Sequence, residues 1–83
     1  TKAYDFINLL PPRFPSPEIS VDPDGDFSLD WLNLKDDLVS ISINKNGQIS
    51  FIREYNNSKT RGEEYFENEI PSYILGFITQ IYK

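Results

Sequence analysis

Four carboxylates fall within nine residues, at Asp22, Asp24, Asp26 and Asp30, and an oxygen-rich cluster of that kind is what a calcium ion requires. The spacing does not complete a calcium loop. Glycine stands at the fourth position, as Gly25, where the helix–loop–helix site needs it at the sixth, and Asn33 occupies the place of the closing bidentate Glu. Asp22-Pro23-Asp24-Gly25 is instead a turn signature, in which proline presets the first turn angle and glycine takes the positive one. The chain has no His and no Cys, so thiolate metal sites, disulfides, cysteine nucleophiles and the usual neutral-pH base are all missing. Catalysis would fall to Asp, Glu, Lys, Tyr and Ser. Thirteen acids make some carboxylate pair inevitable, but an acid and base of the glycosidase kind also need a cleft that one small sheet does not readily enclose. The glycines 25, 47, 62 and 76 are isolated and build no phosphate cradle. The expectation is a protein that is not an enzyme and takes no cofactor and no metal.

The remaining chemistry is binding. Eight Lys and Arg are spread along a chain of net charge −5, whose long-range field repels phosphate. Arg53, Lys59 and Arg61 with Tyr55 and Tyr65 imitate a stacking platform, but Glu54, Glu63 and Glu64 interrupt it, and no direct nucleic-acid binding is expected. Glu18 to Asp37 holds seven acids and a single base, Lys35. Such a field steers a domain toward a basic protein surface. Asp24, Asp36 and Asp37, placed in turns, are its candidate contacts. Tyr55, Arg61 and Tyr65 are a second candidate surface, because Tyr beside Arg is the composition of protein interfaces.

The elements that must position these residues follow from periodicity. With 83 residues, 39% hydrophobic and 14% aromatic, the chain is one domain, 1–83, stabilised by dense packing. Ala3, Phe6, Ile7 and Leu10 share one face of a helix over 3–10, ended by Pro11-Pro12. Four prolines in 11–17 make a stiff, extended connector. Then the period becomes two. Ile19 and Val21, then Phe27, Leu29 and Trp31, form a hairpin, and Val39, Ile41 and Ile43 line a third strand after a turn at 33–37. Asn46-Gly47 supplies a type I′ turn into a fourth strand with Ile49 and Phe51. Residues 56–59 read as a longer loop before a fifth strand over 60–66, which would set Glu54 opposite Arg61. Ile70, Ile74, Phe77, Ile78 and Ile81 predict a closing helix over 70–82, with Pro71 in its first turn and Glu67 and Glu69 ahead of it. The sheet spans 18–66.

The fold class is therefore α+β: a short helix, the proline connector, an antiparallel meander of four or five strands, and a helix packed on one sheet face. The other face carries Ser20, Ser28, Asp30, Ser40, Ser42 and Ser50. The longest uncharged stretch, Ile70 to Tyr82, is too short and too polar to span a bilayer. The start, Thr1 to Asp5, lacks the basic and apolar regions of a secretory signal. A cytoplasmic protein without membrane contact is expected.

The succession Pro15-Ser-Pro-Glu-Ile19, Asp22-Pro-Asp-Gly25, Leu29-Asp-Trp31, Asn46-Gly-Gln-Ile-Ser50, Gly62-Glu-Glu-Tyr-Phe66 and Ile70-Pro71 resembles small uncharacterised bacterial proteins that share this layout. The resemblance runs from Pro11 to the end of the chain. It implies the fold and brings no activity. Size, acidity and the missing catalytic residue types point to a protein-binding domain, a small acidic inhibitor or neutraliser of the antitoxin, immunity or anti-defence type. The alternative is an accessory or oligomerising module that pairs through a sheet edge.

Overall fold

The computed structural model describes residues 2–67 and 69–82, without the side chains of Lys2 and Ala3. Helix α1 (Lys2–Leu9) leads through the proline connector into strands β1 (Glu18–Val21), β2 (Phe27–Leu32), β3 (Leu38–Ile43), β4 (Gln48–Tyr55) and β5 (Ser58–Tyr65), and helix α2 (Ser72–Ile81) closes the domain. The five strands form one antiparallel meander in sequence order, so the domain is α+β with five strands.

Period-two alternation places one side of the sheet in the core. Leu29, Trp31, Val39, Ile41, Ile43, Ile49 and Phe51 are buried together with Ile74, Ile78 and Ile81 of α2. Those three isoleucines recur every turn or so, which makes one stripe of the helix apolar. From α1, Phe6 is fully buried and meets Phe66 edge to face at 5.5 Å, with Ile7 and Leu10 packed beside it. Ala3, expected on the same helix face, lies outside the described side chains. The Trp31 indole N–H donates to the Pro15 carbonyl at 2.8 Å, which fastens the connector to β2. On the opposite side of the sheet, Ser20, Ser28, Ser42 and Ser50 line up in one cross-strand row, and Glu18, Asp30, Ser40, Ile52 and Arg61 form the next.

The turns correct two expectations. Asn44 to Gln48 is a three-residue loop, closed by the Asn44 N–H on Gln48 O at 3.1 Å and the Gly47 N–H on Asn44 O at 3.0 Å. Of that loop only Gly47 has positive φ, at 85°, so Asn46-Gly47 is not a type I′ pair. The type I′ turn is Asn56-Asn57, with φ of 53° and 67°, directly joining Tyr55 to its partner Ser58. Asparagine tolerates the left-handed region where most side chains do not. The shorter turn moves the register by two residues. Glu54 faces Lys59, as an ion pair at 3.5 Å, and Arg61 faces Ile52. Pro71 caps α2 from just outside rather than entering its first turn.

Gly62 has a reason of its own. It lies opposite Phe51, and a Cβ there would stand 2.6 Å from Phe51 Cζ, so the missing side chain makes room for the ring.

Candidate interaction surface

The β2–β3 turn is built around Asn33. Its Oδ1 accepts the backbone N–H groups of Lys35 and Asp37, both at 2.9 Å. Its Nδ2 donates to Asp37 Oδ2 at 3.0 Å and to the Ile81 carbonyl at 2.6 Å. The other Asp37 oxygen accepts the Asn56 N–H at 3.1 Å. One carboxylate and one amide therefore join the β2–β3 turn, the β4–β5 turn and the end of α2. The Asn33 hydrogen bond, then the Asn56 N–H and the Lys35 charge, hold the Asp37 carboxyl below its ordinary value. Nearby, the Tyr82 hydroxyl donates to the Leu32 carbonyl at 3.2 Å.

This bonded frame carries apolar side chains that it does not bury. Leu34, at the turn, is fully exposed, Leu32 is 60% exposed and Tyr82 39% exposed. They border a cleft of about 700 Å3, whose lining also includes Tyr55, Asp37 and Gln80. The loop closes like those at Gly25 and Gly47, but the left-handed position is held here by Asp36, at φ 66°. Asp36, Asp37 and Tyr55 are thus brought to one end of the sheet. Asp24 is not: it sits in the β1–β2 turn at the far end of β2, about 20 Å away by strand length. Arg61 and Tyr65 lie on the serine-rich face of β5, whereas Tyr55 lies on the helix-covered face.

The cations are likewise divided. Arg53 lies on the helix side, its guanidinium 4.6 Å from the centre of the Phe77 ring and donating to Gln80 Oε1 at 2.7 Å and Thr60 Oγ1 at 3.2 Å. Lys59 and Arg61 face the other way. The described residues contain no group of three acids placed to hold a metal ion and no helix long and apolar enough to cross a membrane. Leu34 and Tyr82 were not among the candidate residues. The available signal was a lone leucine in an otherwise polar turn. Comparison with protein-family models, curated proteins and solved structures gives no match.

Proposed function

We propose that this chain is a non-enzymatic protein-binding domain, a small acidic inhibitor or neutraliser acting in the cytoplasm on a larger partner with a basic contact surface, of the antitoxin, immunity or anti-defence type. The observation that carries the reading is Leu34, fully exposed on a turn that Asn33 and Asp37 hold rigid. A leucine displayed this way costs hydration, and covering it contributes roughly 1.5 to 3 kcal/mol. Rigidity limits the ordering cost of binding. Tyr82, Tyr55 and Leu32 supply the apolar surround, and Asp36, on the same turn as Leu34, supplies the steering charge.

Leu34→Asp tests the reading, because the substitution touches no buried group. The parent should retain a specific partner from the native host that Leu34→Asp loses at unchanged melting temperature. Equal retention by both proteins rejects the turn end as the contact. With the partner in hand, Asp24→Asn and Asp36→Asn together should slow association and flatten its salt dependence. Asp37 is left intact in that test, since its carboxylate holds two turns together.

A further inference from the structure

Among the described residues no strand pairs with the outer edge of the sheet at β1, and its hydrogen-bonding pattern can be read outward from the first turn. The Asp22 N–H bonds Asp26 O at 2.8 Å, so Asp22 and Asp26 form a hydrogen-bonded pair. Bonded and non-bonded pairs alternate along an antiparallel ladder. In the register Glu18↔Asp30, Ile19↔Leu29, Ser20↔Ser28, Val21↔Phe27, Ser20 and Glu18 therefore bond to β2. The N–H and C=O groups of Ile19 and Val21 point away from it, into the edge. The side chains of these same two residues are 49% and 58% exposed, lie on the helix side of the sheet, and stand outside the core cluster. Pro17 and Pro23, lacking N–H groups, bound the open stretch. Residues 18–24 carry three acids, Glu18, Asp22 and Asp24, and no base.

We infer that the β1 edge is a docking strand for an extended segment of a partner protein in which basic residues flank a pair of apolar ones. An incoming antiparallel strand forms its close hydrogen-bonded pairs with Ile19 and Val21. Its residues at those positions fall on the helix side and cover the two exposed apolar side chains. The residues outside them fall on the other face, opposite Glu18 and Asp22, where a basic side chain meets an acid. The pattern is basic, apolar, small, apolar, basic.

A second copy of this chain fits the edge poorly. Pairing that satisfies both Ile19 and Val21 must be centred on Ser20, which puts Glu18 directly opposite Asp22 of the other copy, twice. Like charges directly opposite are destabilising. Sliding the copies to centre on Ile19 sets Val21 against a proline and loses a backbone bond. The edge shares no residue with the cleft at Leu34, so the inference stands or falls separately from the proposed function.

The test is titration of the isotope-labelled protein with the synthetic peptide acetyl-Lys-Val-Thr-Val-Lys-amide, read by amide chemical shifts and hydrogen exchange. Binding with a millimolar dissociation constant is expected, with slowed exchange at the Ile19 and Val21 amides and none added at Ser20, whose N–H already bonds to β2. The peptide acetyl-Glu-Val-Thr-Val-Glu-amide should bind about tenfold more weakly or not at all. N-methylation of both peptide valines should abolish binding without any change to the protein. Equal binding of the Lys and Glu peptides, or no protection at Ile19 and Val21, overturns the inference. So does protection that grows with protein concentration in the absence of peptide, which would assign the edge to a second copy. Shifts confined to Leu34 and Tyr82 overturn it while leaving the turn-end surface standing.

Discussion

The indole nitrogen of Trp31 lies 2.8 Å from the carbonyl oxygen of Pro15, so the chain's single tryptophan both fills the core and anchors the proline connector to the sheet. Truncation to alanine removes both contributions. Trp31→Ala should cost roughly 3 to 5 kcal/mol, a large share of the stability of so small a domain. Trp31→Phe keeps most of the ring and loses the hydrogen bond, and should cost about 1 to 2 kcal/mol. Thermal melting followed by far-ultraviolet circular dichroism separates the two. A change of only a degree or two in Trp31→Ala would contradict the burial of this ring.

Gly62 and Phe51 form the second dependency. A methyl group at residue 62 would press on Phe51 Cζ at 2.6 Å, and the same ring already packs against Tyr73 and Phe77, with centroids 5.7 and 5.8 Å away. With two aromatic neighbours already in contact the ring has little freedom to retreat. Gly62→Ala should therefore destabilise by about 1 to 3 kcal/mol, although alanine ordinarily favours a strand over glycine. Combining it with Phe51→Leu should cost less than the two changes summed, and chemical denaturation of the four-protein cycle measures the difference.

Asp36 should behave in the opposite sense. It holds the left-handed position, φ 66°, that Gly25 and Gly47 hold in the equivalent loops. Its side chain makes none of the hydrogen bonds that fix the turn. Asp36→Gly should raise stability by up to about 1 kcal/mol, because relief of the left-handed strain outweighs the extra chain entropy of glycine. The same substitution removes a charge beside Leu34. A variant that melts higher yet associates more slowly with its partner would separate the fold's requirement at this position from the surface's.

How far these features were legible in the sequence differs with the physics behind each. The first hairpin and the closing helix follow from hydrophobic period, and Trp31 falls on the inward face by alternation alone. Alternation also separates Tyr55 from Arg61 and Tyr65, since odd positions of β4 face even positions of β5 in the expected register and in the observed one. The choice of turn was not legible from Asn46-Gly47, because an asparagine–glycine pair serves both a type I′ turn and the three-residue loop. The deciding group is Asn44, whose Oδ1 accepts the N–H groups of Asn46 and Gln48, both at 3.0 Å, as Asn33 does in its own turn. In the sequence Asp37 is an acid in a turn and a candidate contact, with nothing to mark its structural part. Its role needs the β4–β5 turn alongside, a long-range juxtaposition with no local signature.

That role gives Asp37 a dependence on pH. Its folded carboxyl lies below the ordinary 3.8, first through the Asn33 hydrogen bond and then through the Asn56 N–H. A carboxyl whose folded value is depressed binds its proton more readily in the unfolded chain. Its contribution to stability is therefore complete above the unfolded value, near pH 4, and is lost as pH falls through the lower folded one. Asp37→Asn cannot reproduce the arrangement, because an amide offers one accepting oxygen where Asn33 and Asn56 together present two donors. The variant should melt below the parent at pH 7, with the gap narrowing as pH falls from about 5 toward 2 and the parent's carboxylate becomes protonated. Melting of both proteins across that range supplies the measurement. A gap that stays constant would show that the charge of Asp37 contributes nothing to joining the turns, and that Asn33 holds them through its bonds to the backbone alone.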